Sequence, residues 1–402
     1  MKTKKRKILL TEGSSLTSRE TLTALRNCGY QIDILSSAGF PMSAYSRWRH
    51  KIIRTVNVNQ APHTWLKHMV MLVEKEKYNA VLPTHEVAWM IAEGRKLLPP
   101  DFPVAVASAK AFSHTQSKLA FAGLLDELGI PQPVYRSVGA GQEITLPFPL
   151  WAKTEYGTAG RSVHKVHTKE QLKEIVYRYS SSKGNRLLVQ EDIKGQYGQV
   201  QAVFDRGRMA AVHTTVRTGI GAGNSAAARK SVDFPLTRRH IQRIGEHLRW
   251  HGPITIDFIH RNGNPVYIEC NPRMVEPANA ERAGVNFPDL LVKLSERKQL
   301  PDNLCIGKAN IETHSLEALL LGAAEQYGTR HAVWQTMREF GYQKDSAEVL
   351  TPVLHDPLSA IPFAAVLAAL LLNPHNVDKI TSSAIRSYSV LPETVRNIIP
   401  DS

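Results

Sequence analysis

Residues 252–273 read GPITIDFIHRNGNPVYIECNPR. Two apolar runs, 254–259 and 266–268, flank Arg261-Asn262-Gly263-Asn264. Asn-Gly between such runs signals a β-hairpin, because both positions accept a positive φ. Asp257 falls in the first predicted strand and Glu269 closes the second. Asn271 follows two residues later, on the same side of an extended chain. The hairpin returns Glu269 towards Asp257. Two carboxylates and an amide oxygen on one face suit a hard, oxygen-seeking cation such as Mg²⁺. Carboxylates set inside strands repel one another unless a cation lies between them. The alternation of Ile254, Ile256 and Phe258 opposite Asp257 also permits a plain surface pair. The unbroken run Glu269-Cys270-Asn271-Pro272-Arg273 favours the metal site.

Upstream, residues 199–205 and 208–215 read as strands of the same, largely antiparallel sheet, and 238–248 as a helix. Between them lies RTGIGAGNSAAARK, 217–230. It has no apolar period and predicts a mobile loop bracketed by Arg217 and Arg229. These are either ordinary exposed loop arginines or a clamp on a substrate carboxylate, for which a bidentate guanidinium is suited.

Further upstream, residues 6–110 alternate strand and helix patterns: strands at 7–10, 31–36, 79–83 and 104–107, helices at 18–28 (amphipathic) and 64–77. This alternation predicts a small parallel sheet with helices on both faces. The first turn holds one glycine, Gly13, and is no dinucleotide fingerprint. Thr84-His85-Glu86 ends a predicted parallel strand, a common ligand position, though a helix start is the favoured reading. A helix over 117–128 stops at Gly129-Ile130-Pro131. Strands at 148–153, 162–167 and 186–190 surround a helix at 169–179, with Thr168 as its N-cap. Glu281-Arg282-Ala283-Gly284 reads equally as a pocket border or a turn.

The last hundred residues look helical. Residues 361–372, IPFAAVLAALLL, form the most apolar run. Twelve residues are too few for a membrane span of about twenty, so a buried helix is expected and membrane contact is the minority reading. The predicted division is 1–110, an α/β unit; 111–303, with lobes at about 111–190 and 191–303; and 304–402, a helical segment.

The 402 residues, 43% hydrophobic, can build sizeable cores. A net charge of +14 favours an anionic partner. Cys28, Cys270 and Cys305 have no CxxC spacing and read as reduced thiols of a cytoplasmic protein. The basic start MKTKKRKILL runs straight into a strand and is not a secretory signal.

Taken in order, these parts resemble the ATP-grasp superfamily over about 113–294. The ordered parts are Ser117-Lys118 before a Gly-Ile-Pro stop, and Lys153 on a strand followed by Gly157-Thr158-Ala159-Gly160-Arg161-Ser162. Val189-Gln190-Glu191-Asp192-Ile193 and Gly195 come next, then Asp257 and Glu269-Cys270-Asn271-Pro272-Arg273. The Asn-Pro-Arg ending looks most like the branch containing biotin carboxylase and carbamoyl phosphate synthetase. The resemblance implies an α/β and α+β fold, an ATP-grasp fold behind an N-terminal doubly wound α/β domain.

It implies ATP and Mg²⁺ as cofactors, with Mn²⁺ as an alternative metal. Lys118 and Lys153 would supply charge to the phosphates, and Gly157, Thr158, Ala159 and Gly160 would offer backbone N–H groups. Gln190 and the backbone of Glu191, Asp192 and Ile193 would read the adenine edge. Asp257, Glu269 and Asn271 would hold the metal, and Arg273 would face the transferred phosphate. Family members often carry a ribose-binding glutamate where this chain has Tyr197, which leaves Gln199 as the substitute candidate.

The implied activity is that of an ATP-dependent ligase joining a carboxylate, activated as an acyl-phosphate, to an amine such as an amino acid. Carboxylation through carboxyphosphate is the nearest rival. Nucleic-acid binding rests on charge alone, without stacking, helix-turn-helix or zinc signatures. A nucleotide-binding regulator without catalysis is opposed by the intact Asp257, Glu269 and Asn271. The expected partners are ATP, a small carboxylate and an amine, without nucleic acid or membrane; a homodimer stays open.

Overall fold

The computed structural model describes residues 5–139, 145–157, 162–180, 186–341, 343 and 345–398. The chain opens with a four-stranded parallel sheet made of β1 (Lys7–Leu10), β2 (Gln31–Ser36), β3 (Arg49–Arg54) and β4 (Ala80–Leu82), in the order β3-β2-β1-β4. Helices α1 (Leu16–Leu25), α2 (Pro62–Glu76), α3 (Val87–Glu93) and α4 (Ala109–Thr115) accompany it. The strand expected at 104–107 is only a single bridge between Val81 and Val104. β3, charged and at the sheet edge, was not among the predicted strands.

Helix α1 is not amphipathic, contrary to the prediction. Nine of its ten residues are buried, because other parts of the chain cover its polar side as well. Arg19 donates to Asp356 Oδ2 at 2.8 Å, Glu20 accepts from the Ala278 N–H at 3.0 Å, and Thr23 donates to the Val349 carbonyl at 3.1 Å. Satisfied hydrogen bonds let these polar groups sit inside.

A second, antiparallel sheet combines β5 (Tyr135–Val138), β6 (Leu150–Thr154), β7 (Val163–Val166) and β8 (Leu187–Glu191) in the order β5-β8-β6-β7. α5 (Lys118–Glu127) precedes it, and α6 (Lys169–Ser180) lies between β7 and β8 in the chain. Leu150, Ala152, Val166, Leu172 and Val189 form its core.

The third sheet is the largest. β9 (Gln196–Asp205), β10 (Arg208–Ile220), β11 (Ala226–Val232), β12 (Gly252–Arg261) and β13 (Asn264–Asn271) are antiparallel, in the order β13-β12-β9-β10-β11. α7 (Pro235–His247), α8 (Ala278–Arg282) and α9 (Phe287–Ser295) complete this region. The expected mobile loop at 217–230 is instead the paired end of β10 and β11, with Arg217 directly opposite Arg229. Ala226, Ala227 and Ala228 are buried, and Ala227 and Ala228 pack with Ala318 and Leu319. The small residues admit a helix at close range rather than freeing a loop.

After β14 (Cys305–Ile306), β15 (Glu312–His314) and β16 (Ala347–Glu348) extend the same sheet beyond β11, so the C-terminal region is not purely helical. Its helices are α10 (Leu316–Tyr327), α11 (Arg330–Phe340), α12 (Ala360–Leu372), α13 (Asn376–Tyr388) and α14 (Pro392–Arg396). The buried helix expected at 361–372 is α12, yet only Leu370 of it is buried. One face packs Phe363, Val366, Leu367 and Leu371 against α10, α11 and α13, while Ile361 and Leu372 remain 53% and 72% exposed. Among the described residues no helix is long and apolar enough to cross a membrane. The end of the chain returns to the first sheet, where Val390, Val395 and Ile398 join the core of Leu66, Met69 and Trp89.

Candidate functional site

The β12–β13 hairpin turns at Asn262 and Gly263, with φ of 50° and 80°, the left-handed pair that Asn-Gly favours. Its register sets Asp257 directly opposite Glu269 and Thr255 opposite Asn271. The predicted convergence is therefore present. Asn271 Nδ2 lies 3.3 Å from Asp257 Oδ2, and Arg273 Nη2 donates to Asn271 Oδ1 at 3.0 Å. Gln199, on neighbouring β9, donates from Nε2 to Asp257 Oδ1 at 2.9 Å and to the Tyr197 hydroxyl at 3.2 Å.

Both predicted lysines reach the same hairpin, Lys118 from the start of α5 and Lys153 from β6 of the second sheet. Ser117 caps α5, and its hydroxyl donates to Glu155 Oε1 at 2.7 Å. Lys118, the first helical residue, thereby sits with Nζ 3.3 Å from Glu269 Oε1 and 3.3 Å from the Gly157 carbonyl. Lys153, mid-strand in β6 and buried, donates to the Ile268 carbonyl at 3.1 Å. Thr158, Ala159 and Gly160 lie outside the described residues.

The electrostatics follow from this packing. Burial pushes the Lys153 ammonium down to about 8, against the pull of Glu269. Burial, then the charge of Glu269, pushes the Asp257 carboxyl up to about 6. Burial opposes the charge on Glu269 too, but Lys118 and Lys153 hold its carboxyl below the usual range. Two facing carboxylates, one of them resisting ionisation, fit a divalent cation that would offset their repulsion. Among the described residues no group of three or more His, Cys, Asp or Glu side chains is placed to hold a metal ion. The donor set is two carboxylates and one amide, which suits Mg²⁺, an ion that keeps several waters and needs few protein ligands.

At the end of β8, Gln190 is buried and Glu191 donates its N–H to the Val134 carbonyl at 3.0 Å. Ile193 is partly exposed just beyond. The Asp192 side chain is taken up locally. It accepts from Trp151 Nε1 at 2.8 Å and pairs with Lys165 at 2.9 Å and Lys194 at 2.7 Å. Burial works against its charge, but these donors bring its carboxyl down to about 2.

The two arginines differ. Arg217 lies 4.9 Å over the Tyr197 ring and donates to the Asn224 carbonyl at 2.6 Å. Arg229 is buried in an ion pair with Glu276, close to Glu20. Burial, and then the charge of Glu276, pushes the Glu20 carboxyl up to about 8. Sequence reasoning missed Glu20 and Glu276, which sit in elements with no motif, and it met Glu86 only in the strand end Thr84-His85-Glu86, where a helix start was the favoured reading. Tyr197 was visible only as a departure from a pattern. Glu86 Oε1 lies 3.7 Å from Arg273 Nη2.

No family model matches the chain. Over 256 residues it is 27% identical to the carbamoyl phosphate synthase large chain of Caldanaerobacter subterraneus subsp. tengcongensis, which covers 59% of this chain and 24% of that one. The chain thus spans about a quarter of the length of that relative. Among solved structures, L-amino acid ligase from Bacillus licheniformis superposes with a TM-score of 0.60 at 13% identity, covering 78% of this chain and 81% of its own. N5-carboxyaminoimidazole synthetase from Staphylococcus aureus, complexed with ADP, gives 0.59 at 14% identity, covering 86% and 92%. These likenesses meet in one place: the chain has the ATP-grasp fold.

Proposed function

We propose that the protein is an ATP-dependent carbon–nitrogen ligase that activates a carboxylate as its acyl-phosphate and passes it to an amine. The observation that carries this reading is the meeting of Lys118, Lys153 and Arg273 with Asp257, Glu269 and Asn271 at one hairpin. Cations beside a carboxylate pair are what a triphosphate and its metal require. Lys118 and Lys153 would hold phosphate oxygens, and the strand end at Gln190–Ile193 would take the adenine. Asp257, Glu269 and Asn271 would hold Mg²⁺, which when bound neutralises phosphate charge during transfer. Arg273 would face the phosphate passed to the substrate carboxylate, with its guanidinium suited to bidentate oxygen contacts. The similarity to an L-amino acid ligase and to an ADP-bound synthetase supports the same reading. Tyr197 and Gln199, joined to Asp257, would line the ribose side, and Arg217 would grip the acid. Activation of bicarbonate is the second reading, favoured by the similarity to a carbamoyl phosphate synthase large chain.

The test is ADP release across a panel of carboxylates, each with and without amines, and with bicarbonate alone. ADP release that needs both an organic acid and an amine is the expected result. Release with bicarbonate alone selects the second reading, and release with no pair overturns both.

A further inference from the structure

Beyond β4 the chain buries polar atoms that nothing in the protein satisfies. His85 and Glu86 follow this strand, where open α/β sheets place their ligands. His85 has a left-handed φ of 50°, a region that His enters more readily than most side chains. It is 8% exposed, and neither imidazole nitrogen has a hydrogen-bond partner. Glu86 is 6% exposed, with one oxygen beside Arg273 and the other, Oε2, without a partner. Buried polar groups are normally paired, so two neighbouring residues with three orphan atoms call for an occupant.

The chemistry of the atoms narrows that occupant. Burial and the charge of Arg273 keep His85 neutral, so one ring nitrogen accepts and the other donates. Glu86 Oε2 accepts. Glu12, the other acid of this corner, is already saturated: it accepts from the Ser14 and Ser15 N–H groups and from the hydroxyls of Ser15, Ser18 and Thr84. The open acceptors therefore belong to Glu86 and His85, and a group with several N–H donors and a positive charge completes them. The corner is also closed. The Tyr388 ring stacks on His85, with centroids 4.0 Å apart and an interplanar angle of 23°. Asn59 holds the chain just beyond it, donating to the Ser389 carbonyl at 2.8 Å and accepting from Leu391 N–H at 2.9 Å.

We propose that Glu86 and His85 form the subsite for the amine, gripping it as an ammonium ion beneath a cover made by Tyr388. This rests on the ligase reading above. Arg273 touches Asn271 on one side and Glu86 on the other, so the acyl-phosphate and the amine would meet across one guanidinium. The ammonium gives one proton to Glu86. The freed nitrogen lone pair forms the C–N bond, the C–O bond to phosphate breaks, and phosphate leaves with that electron pair and the second amine proton.

The experiment measures ammonium, L-alanine, L-phenylalanine and putrescine as acceptors with the full-length protein, and ATP binding by calorimetry, in wild type, Glu86→Gln and His85→Asn. The expected result for Glu86→Gln is a Michaelis constant for the amine raised at least tenfold, with ATP affinity within threefold of wild type. A merely structural role would lower the melting temperature and move both constants together. His85→Asn carries the same test should the first variant fail to fold. An unchanged amine constant in both variants, or no amine used by a wild type that releases ADP with a carboxylate alone, overturns the subsite. A wild type that releases no ADP with any acid overturns the ligase reading itself.

Discussion

Two hairpins of the third sheet invite comparison. β12–β13 carries Asp257, Glu269 and Asn271 on a tight Asn-Gly turn, and its strands alternate apolar and polar residues. β10–β11 carries Arg217 and Arg229 as an opposed pair, and its strands are crowded with glycine and alanine. Both are antiparallel ladders of one sheet, yet they serve different neighbours. The first turns its polar face to Lys118 of α5 and Lys153 of the second sheet. The second gives up side-chain volume so that α10 can lie on it. A Cβ on Gly219 would meet both Ala228 and Leu319 at 2.8 Å, and one on Gly322 would come within 2.4 Å of the Ile220 carbonyl. A strand can therefore be specified by what it presents or by what it leaves out.

The largest effect should fall on the first hairpin. Glu269→Ala is expected to lower ADP release by about 10²–10³-fold, with the circular-dichroism melting curve within a few degrees of wild type. Retained turnover would mean that the hairpin does not hold the reacting phosphate. The second hairpin should fail in another currency, that of stability.

His213 on β10 donates to or accepts from Ser231 Oγ on β11 at 2.9 Å. Burial, then the charge of Arg229, pushes it down to about 3, against about 6.5 in an unfolded chain. Between those values the unfolded chain takes up a proton that the folded one refuses. Stability present in full above about pH 6.5 should therefore be lost as pH falls towards 3. Urea titrations of wild type and His213→Asn over that window check this, and parallel pH slopes would refute it.

Next comes Gly322→Val, expected to destabilise by about 1–3 kcal/mol through overpacking against β10, read as a shifted urea midpoint. A neutral outcome would show that α10 can withdraw from the hairpin without cost. The smallest effect is that of Arg217→Ala. It should raise the Michaelis constant for the carboxylate severalfold, about 1 kcal/mol in keeping with a partly exposed charged contact, and leave the ATP constant unchanged. The reverse pattern would move Arg217 to the phosphate side.

The same comparison explains what sequence could tell. The first hairpin was legible because alternation and Asn-Gly act locally, within the hairpin itself. The juxtaposition of Asp257, Glu269 and Asn271 was legible because period two fixes which side chains share a face. The second was misread as a loop because alanine and glycine have weak strand preference, and only α10, ninety residues away in sequence, makes their smallness useful. α1 was misread because its polar residues find partners at Ala278, Val349 and Asp356, far along the chain. α12 was misread in the opposite sense, since its apolar residues face outward wherever no other helix covers them. His85 and Glu86 were legible only as a strand end where ligands are common, and a helix start was the favoured reading. Their interest lies in hydrogen bonds that are missing, which no sequence pattern displays.

The clasp at Asn59 has a consequence for biosynthesis. Its carboxamide oxygen accepts from Thr394, 335 positions later, and Val390, Val395 and Ile398 complete the core that begins around Leu9 and Trp65. A ribosome adding about 5–20 residues per second needs roughly 20–70 s to cover that interval. During this time the first-made parallel sheet waits with part of its apolar face uncovered. Chaperone capture of nascent chains should therefore persist until the last helix emerges, rather than end when the leading α/β unit is complete.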